Sequence, residues 1–185
     1  MAWDFSEDIP VLEARIPIVC EILEREELES FASVDVFQRP LAILESRLNE
    51  GQICFVAKHR GLIVSGGWVE FGTARSTGPV GRAFPLAADE VYFHSGFTVP
   101  EYRGNGIRPA AQNFQFRWLA QANYRRAVGF IALSNRANLR AYPKSGGRRA
   151  GTVGYFEMLG WRWYFCSAKG VLDELDKPNY LCRVR

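Results

Sequence analysis

The chain has 185 residues, 48% hydrophobic and 23% charged, which suits one globular domain and excludes a disordered or fibrous chain. Its four cysteines (Cys20, Cys54, Cys166, Cys182) form no CxxC pair and it has two histidines, which argues against a metal site; no apolar run reaches membrane-spanning length. The net charge of +3 hides an asymmetry: residues 1–50 hold twelve acids and four bases, whereas residues 101–150 hold one acid, Glu101, and ten bases. Such a basic half points to an anionic ligand or to a solvated basic face. With no signal peptide visible, a cytoplasmic protein with reduced, mostly buried cysteines is expected.

Residues 1–14 show no pattern and are expected to form an N-terminal extension to a single domain over 15–168, with residues 169–185 as a polar tail. Arg15 to Ile22 is rich in β-branched residues and predicts a strand. Glu24 to Phe31 and Pro40 to Leu48 predict two helices, the second opened by its proline. Gln52 to Lys58 and Leu62 to Phe71 predict strands joined by the hairpin turn His59-Arg60-Gly61. Residues 72–88 lack periodicity and predict a long loop.

Glu90 to Val99 predicts a strong strand that Pro100 ends. After the turn Arg103-Gly104-Asn105-Gly106, the apolar spacing of Ile107, Ala111, Phe114, Trp118 and Ala122 predicts an amphipathic helix. Ala127 to Leu133 predicts a buried strand, Asn135 to Tyr142 a short helix, and Ala150 to Met158 with Trp161 to Cys166 a closing pair of strands. The order is that of an α+β domain, a mixed central sheet with flanking helices.

The turn from Val99 to Arg108 is the most informative segment. A strand ends, glycines follow, and a helix begins with its unpaired N–H groups and positive dipole end exposed. That is an anion-binding geometry. Val99-Pro-Glu-Tyr-Arg-Gly-Asn-Gly-Ile resembles the acyl-CoA-binding signature of the GNAT acyltransferase superfamily, Arg/Gln-x-x-Gly-x-Gly/Ala, with Arg103 leading and Gly106 as its first required glycine. Asn135-Arg-Ala-Asn138-Leu-Arg-Ala-Tyr142-Pro-Lys144-Ser-Gly146 resembles the family's second signature. The element order from 15 to 166 is similar to that of the family. Arg108 departs from it, standing where the family has a second Gly or Ala, and Pro143 should end the helix at Tyr142.

The resemblance implies acetyl-CoA or another acyl-CoA as donor, no metal, and a small-molecule amine as acceptor. It implies that the backbone of Arg103, Gly104, Asn105, Gly106, Ile107 and Arg108 holds the pyrophosphate, that Phe97, Thr98 and Val99 pair with the pantetheine arm, and that Asn135 bonds the arm's end. It implies Tyr142 as proton donor to the departing thiolate. Many family members carry a Glu near the position of Tyr92, which this chain lacks; His94, near its ordinary pKa of about 6.5, or Glu90 on the same strand face is then the candidate base. Two other readings stay open: a non-catalytic acyl-CoA-binding module, and nucleic-acid binding through the basic half, against which no nucleic-acid motif is found. The family often dimerises, so a homodimer is compatible with the resemblance. Acids in the first half are compatible with a cationic amine.

Overall fold

The computed structural model describes residues 1–6, 9, 11–75, 83–158, 161–166 and 179–183. Its strands in chain order are β1 (Ala2–Asp4), β2 (Val19–Ile22), β3 (Ile53–His59), β4 (Leu62–Phe71), β5 (Thr73–Ala74), β6 (Phe84–Pro85), β7 (Glu90–Thr98), β8 (Arg126–Gly129), β9 (Val153–Met158), β10 (Trp161–Cys166) and β11 (Asn179–Arg183). The helices are α1 (Leu28–Val34), α2 (Leu41–Asn49), α3 (Ile107–Gln121) and α4 (Arg136–Ala141). Six strands form one mixed sheet in the order β1-β8-β7-β4-β3-β2, antiparallel except for the β7·β8 pair.

Local chemistry explains most of the elements. In the β3–β4 turn Arg60 and Gly61 both have positive φ, 51° and 80°, the geometry that matches the twist of a two-stranded hairpin. β2 is shorter than the expected 15–22, because Pro17 offers no N–H to a ladder. Ile16 and Ile18 instead pack towards Ile107 and Ala111 of α3.

Helix α3 covers one face of the sheet. Phe116 and Leu119 pack there with Phe55, Val69, Val91 and Phe93. Helices α1 and α2 cover the other face, where Leu28, Phe31 and Leu44 meet Cys54, Val56, Trp68 and Phe97. Cys54 is buried and Cys20 half-buried, both as free thiols, and burial pushes the Cys54 thiol far up.

Three differences from the sequence reading matter for the site. Residues 2–4, expected in an extension, pair with β8 from Ala2↔Val128 to Asp4↔Arg126, and Trp3 and Phe5 are buried in the α3-side core. β8 stops at Gly129 rather than Leu133. The closing pair β9–β10 joins β11 in a separate three-stranded sheet instead of extending the main one, so β1 holds the position beside β8. Strand β11 lies in the expected tail, and residues 76–82 of the expected loop lie outside the described residues.

Candidate active site

The pairing of β7 with β8 runs from Glu90↔Arg126 to Phe93↔Gly129 and ends there, while β7 continues to Thr98. Its edge from His94 onward therefore has no strand partner on the β8 side. A bulge lies just beyond the split, with Ser95 and Gly96 opposing the single Gly67 of β4. Ser95 takes φ 52°, in the left-handed region. Bulges bend a strand and sharpen its twist, which carries β7 away from β8.

Hydrogen bonding alternates along this edge. Val99 N donates to Val64 O at 2.9 Å, and Phe97 O accepts from Ser65 Oγ at 2.5 Å. Phe97 and Val99 thus turn their backbone towards β4, leaving Thr98 to present its N–H and C=O at the open edge. Of the three residues expected to line a pantetheine arm, only Thr98 is so placed; the Phe97 ring is core, 5% exposed. The Arg103 Nε donates to Thr98 O at 3.1 Å.

The glycine turn follows directly. Gly104 and Gly106 adopt φ 81° and 71°, which glycine alone accepts without strain. Asn105 Nδ2 closes the turn on Tyr102 O at 3.1 Å. Gly106 is the N-cap of α3, no side chain caps that helix, and Pro109 in its first turn has no N–H. The backbone N–H groups of Ile107 and Arg108 are thereby presented with the positive end of the dipole, a concave donor site for an anion.

Arg108 points the other way. Its guanidinium lies against the sheet beneath the bulge, where a Cβ on Gly67 would sit 2.8 Å from Nη1 and one on Gly96 would collide with Nη2. The two glycines make the room. Nη1 is shut off from solvent without a hydrogen-bond partner, and burial lowers the Arg108 pKa to about 10, so it stays cationic. Its backbone, not its side chain, serves the turn.

On the α1–α2 face of the same split lies a polar cluster. Gln52 Nε2 donates to Glu70 Oε1 at 2.9 Å, and Gln52 Oε1 lies 3.2 Å from His94 Nε2. A carboxylate only accepts, so the Gln52 amide is oriented by Glu70, and His94 must carry its proton on Nε2. That leaves the Nδ1 lone pair facing Ser95 Oγ at 3.0 Å, beside the split. His94 stacks on the Tyr92 ring with centroids 5.7 Å apart. Glu70 lies opposite Tyr92 in the β4·β7 register, its Oε1 3.7 Å from His94 Nε2. The sequence reading missed Glu70; its signal was a lone acid in an otherwise apolar strand.

His94 departs most from expectation. Burial, and then the charges of Arg47 and Arg39, lower its pKa to about 3. The imidazole is neutral throughout the physiological range and cannot set an acidic limb near pH 6.5. Because the unfolded chain binds that proton at about 6.5 and the folded chain does not, stability should be complete above pH 6.5 and fall steadily as pH drops towards 3. NMR titration of the His94 ring should show no protonation above pH 4.5; a midpoint near 6 would contradict this environment.

The remaining residues are dispersed. Glu90 is buried at the far end of β7 and accepts from Arg126 Nε at 2.7 Å, an ion pair across the parallel strands. It lies four positions along the strand from His94, about 13 Å. Tyr142 sits where α4 passes into a 3-10 turn at Pro143, its ring edge-on to Trp3 at 6.4 Å. Ser145 links Trp3 Nε1 and Gln112 Oε1 at 3.3 Å each, tying α3 to that turn. Asn135 caps α4, its Oδ1 accepting from Asn138 N at 3.1 Å. Elsewhere, a cleft of about 460 Å³ between β2 and α3 includes Glu21, Glu24, Glu27, Phe114 and Trp118, with Glu21 and Glu27 engaged by Lys58. Among the described residues there is no group of three metal-ligating side chains, and no helix is long and apolar enough to cross a membrane.

No family model and no curated protein matches the sequence. Solved structures do match. An acetyltransferase of Trypanosoma brucei is 19% identical with a TM-score of 0.55, over 77% of this chain and 100% of that one. An aminoglycoside N-acetyltransferase in complex with CoA is 15% identical with a TM-score of 0.60, over 76% of this chain and 98% of that one. The ribosomal-protein-S18-alanine N-acetyltransferase of Escherichia coli is 14% identical with a TM-score of 0.59, over 77% and 86%. The split parallel pair, the glycine turn into α3 and these neighbours agree on one architecture: the chain has the fold of the GNAT acetyltransferases.

Proposed function

We propose that the chain is an N-acyltransferase that moves an acyl group, acetyl first among them, from acyl-CoA to an amine of a small molecule. The observation that carries this reading is the meeting of three features at one end of β7: an unpaired strand edge, a glycine turn with free N–H groups, and a polar cluster behind them. Acyl-CoA supplies an activated thioester. The backbone from Arg103 to Arg108 receives its pyrophosphate, and Thr98 offers N–H and C=O to the amide-bearing arm once the exposed Arg103 side chain leaves Thr98 O. Asn135 has its Oδ1 engaged by the helix, so Nδ2 is the group it can extend to the arm. A backbone N–H on the open edge stabilises the oxyanion of the tetrahedral intermediate.

The attacking amine, with a pKa of about 10, must lose a proton near neutral pH. Neutral His94 presents Nδ1 at the split, and an imidazolium formed there lies 3.7 Å from the Glu70 carboxylate. At that low basicity His94 is a weak base, and the proton passes on to solvent rather than staying on the ring. Glu90, ion-paired with Arg126, does not share this position. Tyr142 remains the candidate acid for the thiolate, its ring positioned by Trp3.

Tyr142→Phe should lower kcat about a hundredfold while the dissociation constant for acetyl-CoA changes less than twofold. Steady-state kinetics beside a binding titration checks this, and an undiminished kcat removes Tyr142 from the reaction. A second reading, a non-catalytic acyl-CoA-binding module, draws support from the weak basicity of His94. Acetyl-CoA binding without transfer to any amine would favour it.

A further inference from the structure

The polar cluster on the α1–α2 face holds one arginine whose hydrogen-bonding capacity is almost unused. Arg47 of α2 is half-buried and lies over the Trp68 ring at 5.3 Å, and among the described residues its side chain makes one hydrogen bond, Nη1 to Ser95 Oγ at 3.5 Å. A guanidinium has five N–H donors in a planar fork suited to a carboxylate. The neighbouring charges are Arg39, Asp35 and Glu70, with His94 neutral. They sum to zero with Arg47, but the bonding is lopsided. Asp35 is fully engaged by Arg39, with contacts of 2.7 Å to both oxygens, and by the Phe37 and Arg39 backbone. Glu70 is engaged by Gln52 and by the Arg75 backbone N–H at 2.6 Å. The indole N–H of Trp68, in the same layer, is buried without a partner. Donors are in excess and the acceptors are filled. Burial and the charge of Arg39 lower the Arg47 pKa to about 10, with Glu70 and Asp35 opposing the shift, so the guanidinium stays cationic while most of its N–H donors are unused.

Place makes this a matter of substrate. Ser95, the hydrogen-bond partner of Arg47, is the bulge residue two positions beyond the last β7·β8 pair, beside the Nδ1 of His94. We infer that the amine acceptor carries a carboxylate, which the Arg47 fork receives beside Ser95 while the amine faces the split. This rests on the N-acyltransferase reading and narrows its acceptor to amino acids or short peptides, in place of the cationic amine suggested by the acidic first half. Apart from Asp35, which Arg39 holds, acids of that half lie elsewhere: Glu24, Glu26, Glu29, Glu45 and Glu50 are exposed on helices and turns.

The test uses isotope-labelled acetyl-CoA with three pools: the free amino acids and dipeptides, the same compounds as carboxyl amides, and polycationic amines without a carboxylate, the polyamine spermidine and the aminoglycoside neamine. Mass spectrometry reads the label. The inference expects label in the first pool and at least a tenfold lower rate on the matching amides. Whether amino acids or dipeptides are labelled distinguishes the two sources of the carboxylate. Arg47→Gln should raise KM for the labelled acceptor at least tenfold, Arg47→Lys should restore part of it, and acetyl-CoA affinity and melting temperature should hold for both. Amides or polycationic amines labelled as fast as the free acids would overturn the inference and leave the acyltransferase reading intact. Bound acetyl-CoA with no label in any pool would overturn the reading itself, and the inference with it.

Discussion

Trp3→Ala is expected to destabilise the protein by about 3–5 kcal/mol, the range for removing a buried indole. Trp3 is 5% exposed and packs on Phe93 of β7, Phe116 of α3 and Tyr142, with centroids 6.2, 5.7 and 6.4 Å away. Its Nε1 also donates to Ser145 Oγ at 3.3 Å. The cavity left would lie between sheet and helix, where few side chains can collapse into it. Urea unfolding monitored by far-ultraviolet circular dichroism should show the loss as a lower midpoint at unchanged slope. Because Trp3 positions the Tyr142 ring, kcat should fall as well, even below the melting transition. A destabilisation under about 1 kcal/mol, the scale of a surface change, would mean that residues 2–4 stand outside the domain.

That strand also shows where sequence reasoning reaches its limit. Ala2–Asp4 is three residues long and exists through pairing with β8, more than a hundred residues away in the chain. No local periodicity can announce such a contact. The β3–β4 hairpin, β7 and α3 were legible because each carries its own signal: a Gly-containing turn, a β-branched and aromatic run ended by proline, and apolar residues at helical spacing. The apolar pattern of β8 continues past Gly129, but the split ends its ladder, a tertiary event.

The site divides in the same way. The turn residues Gly104 and Gly106 were legible because a left-handed backbone leaves a mark in residue type. The direction of the Arg108 side chain was not, since it depends on glycines in two other strands. His94 was legible as a candidate, but its neutral state depends on burial and on Arg47 and Arg39 from another segment. Glu70 escaped notice because a strand reading weighs a residue by its own strand, and its role arises from the neighbouring one.

Gly106→Asp should weaken acyl-CoA binding more than a hundredfold. Gly106 opens α3 at φ 71°, and a Cβ there would lie 3.3 Å from the carbonyl oxygen of Glu13, so any side chain meets that backbone at a tight fit. An aspartate adds a negative charge where a diphosphate is to be received. At an effective dielectric of about 20, two charges some 5 Å apart repel by about 3 kcal/mol, equivalent to roughly a hundredfold in affinity. Gly106→Asn separates the causes. Asparagine tolerates the left-handed region as aspartate does, carries no charge, and should lose less than tenfold. Equal losses in the two variants would make the effect steric.

Calorimetric titration of the unmodified protein with acetyl-CoA is the decisive experiment. One-to-one binding at micromolar concentration is expected, and Gly106→Asp should abolish it while its melting temperature stays within a few degrees. Absence of binding by the folded, unmodified protein, or undiminished binding by Gly106→Asp, would contradict the assignment of the β7–α3 turn as the acyl-CoA site.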